Sequence, residues 1–151
     1  MNVLLDTNVL TRLAQPGPLQ SQLAADATDA VRKRGDVPCV VPQVLYEFWV
    51  VATRPVAMNG LGLPAIQAGA ELAVIESLFP LLPDTATVYT EWRRLVTAYQ
   101  VSGKNAHDAR LVAAMTVHGL THLLTFNTGD FARYPGVKAI DPAALLSPPA
   151  P

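Results

Sequence analysis

Short runs of strand-forming residues occur at four places in the chain, each bounded by polar or turn-forming residues. Such runs are typical of strands that are buried within a sheet. The first run ends on a carboxylate, so we expect Asp6 at the carboxyl edge of the sheet. The pattern predicts strands over residues 2–6, 37–41, 121–125 and 137–140, and a brief additional strand at Leu81 and Leu82.

Between the strands, apolar and alanine positions recur at intervals of three and four residues, which places them on one face of a helix. Pro42 fits the first turn of one such helix, because the first N–H groups of a helix lack intrahelical partners in any case. Gly35 and Gly119 follow two other segments and suit the position after a helix end. The predicted helices cover residues 19–34, 42–53, 65–78 and 106–118, with one more from a cap at Asp84 or Thr85 to about Tyr99.

Strands and helices alternate along the whole chain, which favours a layered α/β fold with a mostly parallel central sheet flanked by helices. The length of 151 residues suits one domain. We expect that domain to span residues 1–146, and residues 147–151 to form a flexible tail. In open parallel sheets, ligand sites lie outside the carboxyl ends of the strands.

The composition is that of a globular protein with no strong overall charge. Half of the residues are apolar and 15% are charged, enough to build a sizeable core. The net charge of −1 provides no overall attraction to nucleic acid, so a nucleic-acid role would need a local basic patch or a metal ion. Cys39 is the only cysteine and lies in an apolar run, which predicts a buried structural thiol and no intrachain disulfide.

The sequence shows no pattern typical of a secreted or membrane protein. Its first residues include no basic segment, and Asp6 stands where a signal peptide would be apolar. The longest apolar stretch, residues 37–52, is interrupted by Pro42 and Glu47 and is shorter than the roughly 20 residues that span a bilayer. We therefore expect a cytoplasmic protein without a membrane partner.

Four acidic residues lie where a parallel sheet would bring them to one edge: Asp6, Glu47, Asp108 and Asp130. Carboxylates within about 4–6 Å of one another repel unless a cation lies between them. Mg²⁺ and Mn²⁺ prefer oxygen ligands, whereas Cys39 and the scattered histidines offer no zinc spacing. A carboxylate-held divalent ion activates water and stabilises negative charge, which suits phosphodiester hydrolysis.

Each acid also has a purely structural interpretation. Asp6 would cap the turn that follows it, Asp108 would complement a helix dipole, and Asp130 would serve in a turn. Glu47 borders the apolar stripe of its helix, where a charge needs a partner. The candidate partners in an ion pair are Arg54 and Arg110. The joint placement of the four acids, and no single one of them, favours the metal site.

Four segments of the chain resemble, in order, the four motifs of PIN-domain nucleases. The resemblance covers residues 2 to about 142 and implies a three-layer PIN-like fold. A lone Asp-Thr-Asn is a weak signal, but four motifs in sequence are a specific one. The segments are residues 4–10 (LLDTNVL), 47–55 (EFWVVATRP), 107–114 (HDARLVAA) and 123–131 (LLTFNTGDF).

The resemblance implies roles for particular residues. Asp6, Glu47, Asp108 and Asp130 would be the catalytic ligands of Mg²⁺ or Mn²⁺, and Asn127 would orient Asp130 as a hydrogen-bond donor. The further residues that would line the site are Thr7, Asn8 and Thr125. Candidates for substrate binding are Arg54, His107 and Arg110, which stand beside the motifs.

Small single-domain PIN proteins resemble the VapC-type toxins of type II toxin–antitoxin modules. This implies an endoribonuclease that acts on RNA, is silenced by a cognate antitoxin protein and forms a homodimer. Apolar and aromatic residues around Tyr46, Trp49 and Trp92 are candidates for a groove that accepts an antitoxin segment, with core packing as the alternative for Trp49.

Three other functions remain open on the sequence. A PIN nuclease could act on DNA or on a particular nucleic-acid structure, and a PIN-like fold could serve as a non-catalytic binding or regulatory module. The intact set of acids argues against the module. An aspartyl phosphatase is disfavoured because Asn8 stands where a second aspartate is expected, two positions after Asp6.

Overall fold

Four short strands form one parallel sheet in the computed structural model, which describes residues 1–15, 17 and 19–150. The strands are β1 (Asn2–Leu5), β2 (Val37–Cys39), β3 (His122–Leu124) and β4 (Lys138–Ile140). Their order in the sheet is β2-β1-β3-β4, and all three strand pairs are parallel. The predicted α/β fold with a largely parallel sheet is confirmed, although Leu81 forms only an isolated bridge with Val40 instead of a strand.

Seven α-helices surround this sheet in the part of the chain that the structure describes. They are α1 (Thr7–Ala14), α2 (Leu19–Lys33), α3 (Pro42–Thr53), α4 (Ala65–Leu78), α5 (Ala86–Ala98), α6 (Asn105–Val117) and α7 (Pro142–Leu146). The sequence predicted five of these helices and missed the short helices α1 and α7. None of the helices in the described residues has both the length and the apolar character that a membrane span requires.

The order of the strands determines where the helices lie. The connection from β1 to β2 runs to one side of β1, and the later connection to β3 runs back to the other side. Right-handed connections in opposite directions cover opposite faces of a parallel sheet. The helices form two packed groups: α1 contacts α2 and α3, α2 contacts α7, and α3 contacts α4, whereas α5 packs along α6. Helix α3 lies in the first group although it belongs to the connection from β2 to β3.

The core lies on both faces of the two central strands. Leu4 and Leu5 in β1 and Leu123 and Leu124 in β3 are fully buried, as expected for a parallel sheet covered on both sides. Cys39 in β2 is also fully buried, and its thiol donates to the carbonyl oxygen of Val3 at 3.5 Å. The predicted burial of the thiol is confirmed, and this burial raises the pKa of Cys39 to about 11.

A tight loop follows α3 and folds back along the last turn of that helix. The amides of Leu61 and Leu63 donate to the α3 carbonyl oxygens of Val51 and Ala52 at 2.9 and 2.8 Å. Gly60 lies so close to Arg54 that an added Cβ would stand 1.9 Å from the Arg54 carbonyl oxygen. This close approach requires glycine and fixes the end of α3 beside the carboxyl edge of the sheet.

We expect the substitution Gly60→Ala to lower the free energy of unfolding by about 2 kcal/mol, because backbone has to move to admit the Cβ. Chemical denaturation measures the change. The matched control is Gly69→Ala in α4, where an added Cβ meets nothing within 4 Å. Alanine favours helix, so the control should gain roughly 0.5–1 kcal/mol. A Gly60→Ala protein as stable as the wild type would contradict this account of the loop.

Candidate active site

A cavity of about 400 Å³ opens at the carboxyl edge of the sheet, and all four predicted acids line it. Thr7, Asn8, Arg54 and Asn127 line the same cavity, and Thr125 is buried behind Asp6, to which it is bonded. The two remaining predicted residues, His107 and Arg110, line a neighbouring cavity instead. The acids lining the first cavity are Asp6, Glu47, Asp108 and Asp130.

Asp6 lies between the end of β1 and the start of α1. Its extended backbone places it as the N-cap of α1, and its Oδ1 accepts from the Thr7 amide at 2.7 Å. Its Oδ2 accepts from the Thr125 hydroxyl at 2.7 Å and from Asn8 Nδ2 at 3.4 Å. Asp6 therefore caps α1 and also lines the acidic cavity, two roles that were alternatives in the sequence analysis.

The Thr125 hydroxyl connects the ends of the two central strands. It is fully buried, donates to Asp6 and accepts from Asn8 Nδ2 at 3.2 Å and from the Asn127 amide at 3.0 Å. Asn8 Oδ1 in turn accepts from the amide of Phe126 at 3.1 Å. One donor and two acceptor positions are all that a hydroxyl has, so this group is fully used in positioning Asp6.

Glu47 is held by neutral partners. Its Oε2 accepts from the Thr7 hydroxyl at 2.6 Å, and its Oε1 accepts from Gln43 Nε2 at 2.9 Å. The ion pair considered from the sequence is absent among the described residues: Arg110 pairs with Asp84 at 3.0 Å. Arg54 donates through Nη2 to the carbonyl oxygen of Asn59 instead.

Gln43 is a site residue that the sequence analysis missed. Besides holding Glu47, its Nε2 donates to the carbonyl oxygen of His107 at 2.8 Å, and its Oε1 accepts from Arg110 Nη1 at 3.0 Å. It therefore ties α3 to the start of α6. The available signal was its position four residues before Glu47, which places the two side chains on the same face of α3.

Asp108 and Asp130 complete the acidic group. Asp108 lies half-buried in the first turn of α6 and accepts no hydrogen bond from the described residues. Asp130 is exposed in a 3₁₀ turn, Thr128–Phe131. Asn127 contacts Asp130 through the backbone, where its carbonyl oxygen accepts from the Asp130 amide at 3.2 Å, and no side-chain bond joins the two. The expected orienting role of the Asn127 side chain is thus not visible in this arrangement.

The four carboxylates act on one another electrostatically. Burial raises the pKa of Asp108 to about 6, and the charges of Asp130, Asp6 and Glu47 add to this effect. Burial also raises the pKa of Asp6, opposed by its bonds from Thr125 and Thr7 and supported by the charges of Glu47 and Asp130. None of the four forms an ion pair with a cation of the described chain.

The donor set suits a hard divalent cation. All of the converging ligands are carboxylate, hydroxyl or amide oxygens, which Mg²⁺ and Mn²⁺ prefer. Among the described residues, no three His, Cys, Asp or Glu side chains already stand in a geometry that holds a metal ion. Mg²⁺ does not require such a set, because it is commonly bound through one or two carboxylates and keeps several waters.

Two arginines border the acidic cavity, Arg12 and Arg54. The Arg12 guanidinium lies 4.4 Å from the centre of the Phe126 ring and donates to the carbonyl oxygen of Asn8 at 3.0 Å. Arg54 keeps its buried Nε without a partner in the described structure. The cavity therefore combines an acidic centre with cationic edges, which an overall net charge of −1 does not reveal.

Residues 3–137 match the family model of the PIN domain. Because the match covers most of the chain and includes all four motif segments, the chain belongs to the PIN-domain family. No curated protein matches the sequence.

Several solved structures have a similar fold. VapBC2 from Rickettsia felis, bound to a promoter DNA fragment, matches with a TM-score of 0.72 at 16% identity over 93% of this chain and 98% of its own. FitAcB from Neisseria gonorrhoeae matches with a TM-score of 0.68 at 22% identity over 95% and 99%. VapC20 from Mycobacterium tuberculosis, a toxin that cleaves the sarcin-ricin loop, matches with a TM-score of 0.63 at 19% identity over 87% and 95%. At these identities the likeness establishes the fold.

We expect the substitution Asp108→Asn to stabilise the metal-free protein at pH 7.5. The unfolded carboxyl ionises near its ordinary pKa of 3.8 and the folded one at about 6, so stability falls as the pH rises through this window. Asparagine does not ionise, so the variant should not lose stability in this pH window. Its free energy of unfolding at pH 7.5 should be about 1 kcal/mol higher than that of the wild type. This is less than the full pKa difference between the folded and unfolded states would give, because the side chain is half exposed. At pH 4 the two proteins should differ little.

Thermal or chemical unfolding in EDTA at both pH values measures this effect. The control is Asp29→Asn on the exposed surface of α2, which removes the same charge outside the cavity and should change stability by less than about 0.5 kcal/mol. A destabilised Asp108→Asn protein at pH 7.5, or an equal difference at both pH values, would refute the electrostatic interpretation.

Proposed function

We propose that this PIN-domain protein is a Mg²⁺- or Mn²⁺-dependent endoribonuclease that hydrolyses RNA phosphodiester bonds and serves as the toxin of a type II toxin–antitoxin pair. The observation that carries the proposal is the convergence of four carboxylates on one cavity, with no cation of the described chain paired to them. Like charges kept together in this way need a counter-ion that the protein itself does not supply.

In the proposed reaction, a water oxygen attacks the phosphorus, the bond to the leaving ribose oxygen breaks, and that oxygen takes up a proton. Asp6, Glu47, Asp108 and Asp130 would hold the ion, which when bound makes water more acidic and stabilises the charge that develops on phosphate oxygens. Thr7 and Gln43 keep the Glu47 carboxylate turned toward the cavity, and Thr125 does so for Asp6. Asp6 and Glu47 are therefore held in position by neutral donors of the chain itself.

The arginines at the edge of the cavity support a polyanionic substrate. Arg12 and Arg54 both line the cavity, and neither pairs with a carboxylate of the described residues. Contacts from such side chains position a phosphate backbone without reading its sequence. RNA is preferred over DNA in the proposal because one protein of the same fold, 19% identical, is described as cleaving the sarcin-ricin loop.

The surface of α4 supports a protein partner. This helix carries more apolar than polar residues, yet within it only Ala68 and Ile75 are buried, and Ile66 is 89% exposed. Exposed apolar side chains that are grouped on one surface often mark the binding site of a protein partner. Cavities of about 240 and 370 Å³ flank it, the first lined by Val74 and Leu78. We propose that an antitoxin segment covers α4, since one protein of this fold, from Klebsiella pneumoniae, was solved as a toxin–antitoxin complex.

The aromatic residues suggested from the sequence for the antitoxin groove divide between two surfaces. Tyr46 and Trp49 line the larger cavity beside α4, and Trp92 lines the separate cavity next to His107. Only the first two therefore belong to the proposed antitoxin surface. A cytoplasmic location and a homodimer complete the proposal, and sedimentation of the purified chain measures the second of these.

We expect the purified protein to cleave single-stranded RNA in Mg²⁺ or Mn²⁺ and to lose this activity in EDTA. The substitutions Asp6→Ala and Asp108→Ala should each lower the rate at least about a hundredfold, since each removes a proposed ligand of the ion. Asp29→Ala on α2 is the control and should cleave as the wild type does. Gel analysis of a labelled oligonucleotide measures all four proteins.

Two outcomes would redirect the proposal. Equal cleavage of single-stranded DNA of the same sequence would make the protein a less selective nuclease. Undiminished activity of the Asp6 and Asp108 variants would end the metal mechanism, and calorimetry that detects no Mn²⁺ binding would favour a non-catalytic module.

We expect a small protein to co-purify with the chain from its native host and to inhibit RNA cleavage when added back. The substitution Val74→Asp on α4 should weaken this complex at least about tenfold, because it places a charge in the proposed apolar interface. The control is Val56→Asp, a valine outside α4 that is 73% exposed, compared with 50% for Val74. Equal binding by both variants would contradict the assignment of α4 as the partner surface.

A further inference from the structure

A second cavity, of about 420 Å³, adjoins the acidic cavity and has a different character. The first turn of α6 separates the two: Asp108 faces the acidic cavity, whereas His107 and Arg110 line the second one. Its other walls come mainly from α5 and are largely apolar. The residues that line it besides those of α6 are Asp84, Thr85, Val88, Tyr89 and Trp92.

Two aromatic rings form the apolar wall. Tyr89 and Trp92 are three residues apart on α5, with ring centres 5.9 Å apart and planes inclined by 30°. The Trp92 indole is fixed because its Nε1–H donates to the carbonyl oxygen of Ala106 at 2.8 Å. Tyr89 is 63% exposed. A fixed ring beside an exposed one offers a planar surface to a flat ligand at low entropic cost.

The polar groups of the cavity favour a flat ligand without a net charge. Arg110 is the cation at its edge, but Asp84 pairs with it at 3.0 Å, so the two charges balance locally. A phosphate group or an acidic peptide would meet the Asp84 carboxylate unfavourably. An unpaired nucleobase combines a π face for Tyr89 with polar edges for the Arg110–Asp84 pair.

Hydrogen bonds connect this cavity to the acidic one. Arg110 Nη1 donates to Gln43 Oε1 at 3.0 Å, and Gln43 Nε2 donates to Glu47 Oε1 at 2.9 Å. Only Gln43 lies between Arg110 and Glu47, so a ligand bound to Arg110 lies close to the proposed metal site. A nucleic acid whose phosphate enters the acidic cavity could therefore place a neighbouring group in the second cavity.

We propose that the Tyr89–Trp92 cavity is a stacking subsite for one unpaired nucleobase of the RNA, close to the bond that is cleaved. The inference rests on the nuclease function proposed above. Stacking on an aromatic ring tolerates every base, so the subsite selects for unpaired, single-stranded RNA and not for a particular sequence.

The test is an abasic scan of a short single-stranded RNA. A series of oligonucleotides lacks one base each, with the sugar–phosphate backbone intact. Cleavage by the wild type in Mg²⁺ gives kcat and KM, and fluorescence anisotropy in EDTA gives the dissociation constant without cleavage. We expect one position beside the cleaved bond to raise KM and the dissociation constant about tenfold, the loss of one base–aromatic stack.

Three variants test whether the Tyr89 ring contacts the base at this sensitive position of the RNA. Tyr89→Ala should bind intact RNA about tenfold more weakly and should no longer distinguish intact RNA from RNA that is abasic at this position. Tyr89→Phe keeps the ring and should behave as the wild type. Met58→Ala is the control, since Met58 is 63% exposed, as Tyr89 is, and lines neither of the two cavities.

The outcomes separate the subsite from the function on which it rests. If RNA is cleaved or bound but no abasic position matters, or if Tyr89→Ala keeps the wild-type sensitivity, the subsite is refuted and the nuclease stands. If Tyr89→Ala alters only the oligomeric state, the face is an interface between copies and the subsite is again refuted. If the wild type neither cleaves nor binds RNA, both proposals fail together.

Discussion

The Asp6 carboxylate is the group on which the rest of the site depends. It is buried at the end of the first strand, where desolvation raises its pKa and two neighbouring carboxylates raise it further. The chain counters this with three hydrogen bonds, from the amide of Thr7 and the side chains of Thr125 and Asn8. Charge-assisted hydrogen bonds are strong, but they leave the repulsion between carboxylates in place. The fold therefore keeps an acid where folding alone would favour a neutral group.

That arrangement depends on the topology of the sheet. Because β1 and β3 are parallel neighbours, Asp6 and Thr125 come directly after paired residues, Leu5 and Leu124, and meet at the same edge. The backbone supports the junction as well, since the Asp6 amide donates to the carbonyl oxygen of Leu124 at 3.0 Å. Residues 119 positions apart are thus brought into contact by strand pairing and not by any flexible loop.

The sequence predicted much of this arrangement, for identifiable reasons. The four strands and the five longer helices have recognisable patterns, and two of the acids lie beside an element boundary, Asp6 after β1 and Asp108 in the first turn of α6. Helices α1 and α7 were missed because eight and five residues are too few to display a helical period. Asp141 followed by Pro142 was nevertheless a helix-start signal, since Asp141 caps α7 through the amides of Ala143 and Ala144.

Side-chain partners within the site were harder to predict than the acids. Gln43 and Arg12 carry no motif of their own, and their contacts arise from packing of α3 against α6 and of α1 against the loop after β3. An ion pair was the structural alternative for Glu47, because a charge beside an apolar stripe needs a partner, yet a hydroxyl and an amide group satisfy Glu47 in the structure. Neutral donors hold the carboxylate in place without neutralising it, which an arginine would do. This arrangement would favour the proposed divalent cation, because an internal ion pair would compete with the metal for the same oxygens.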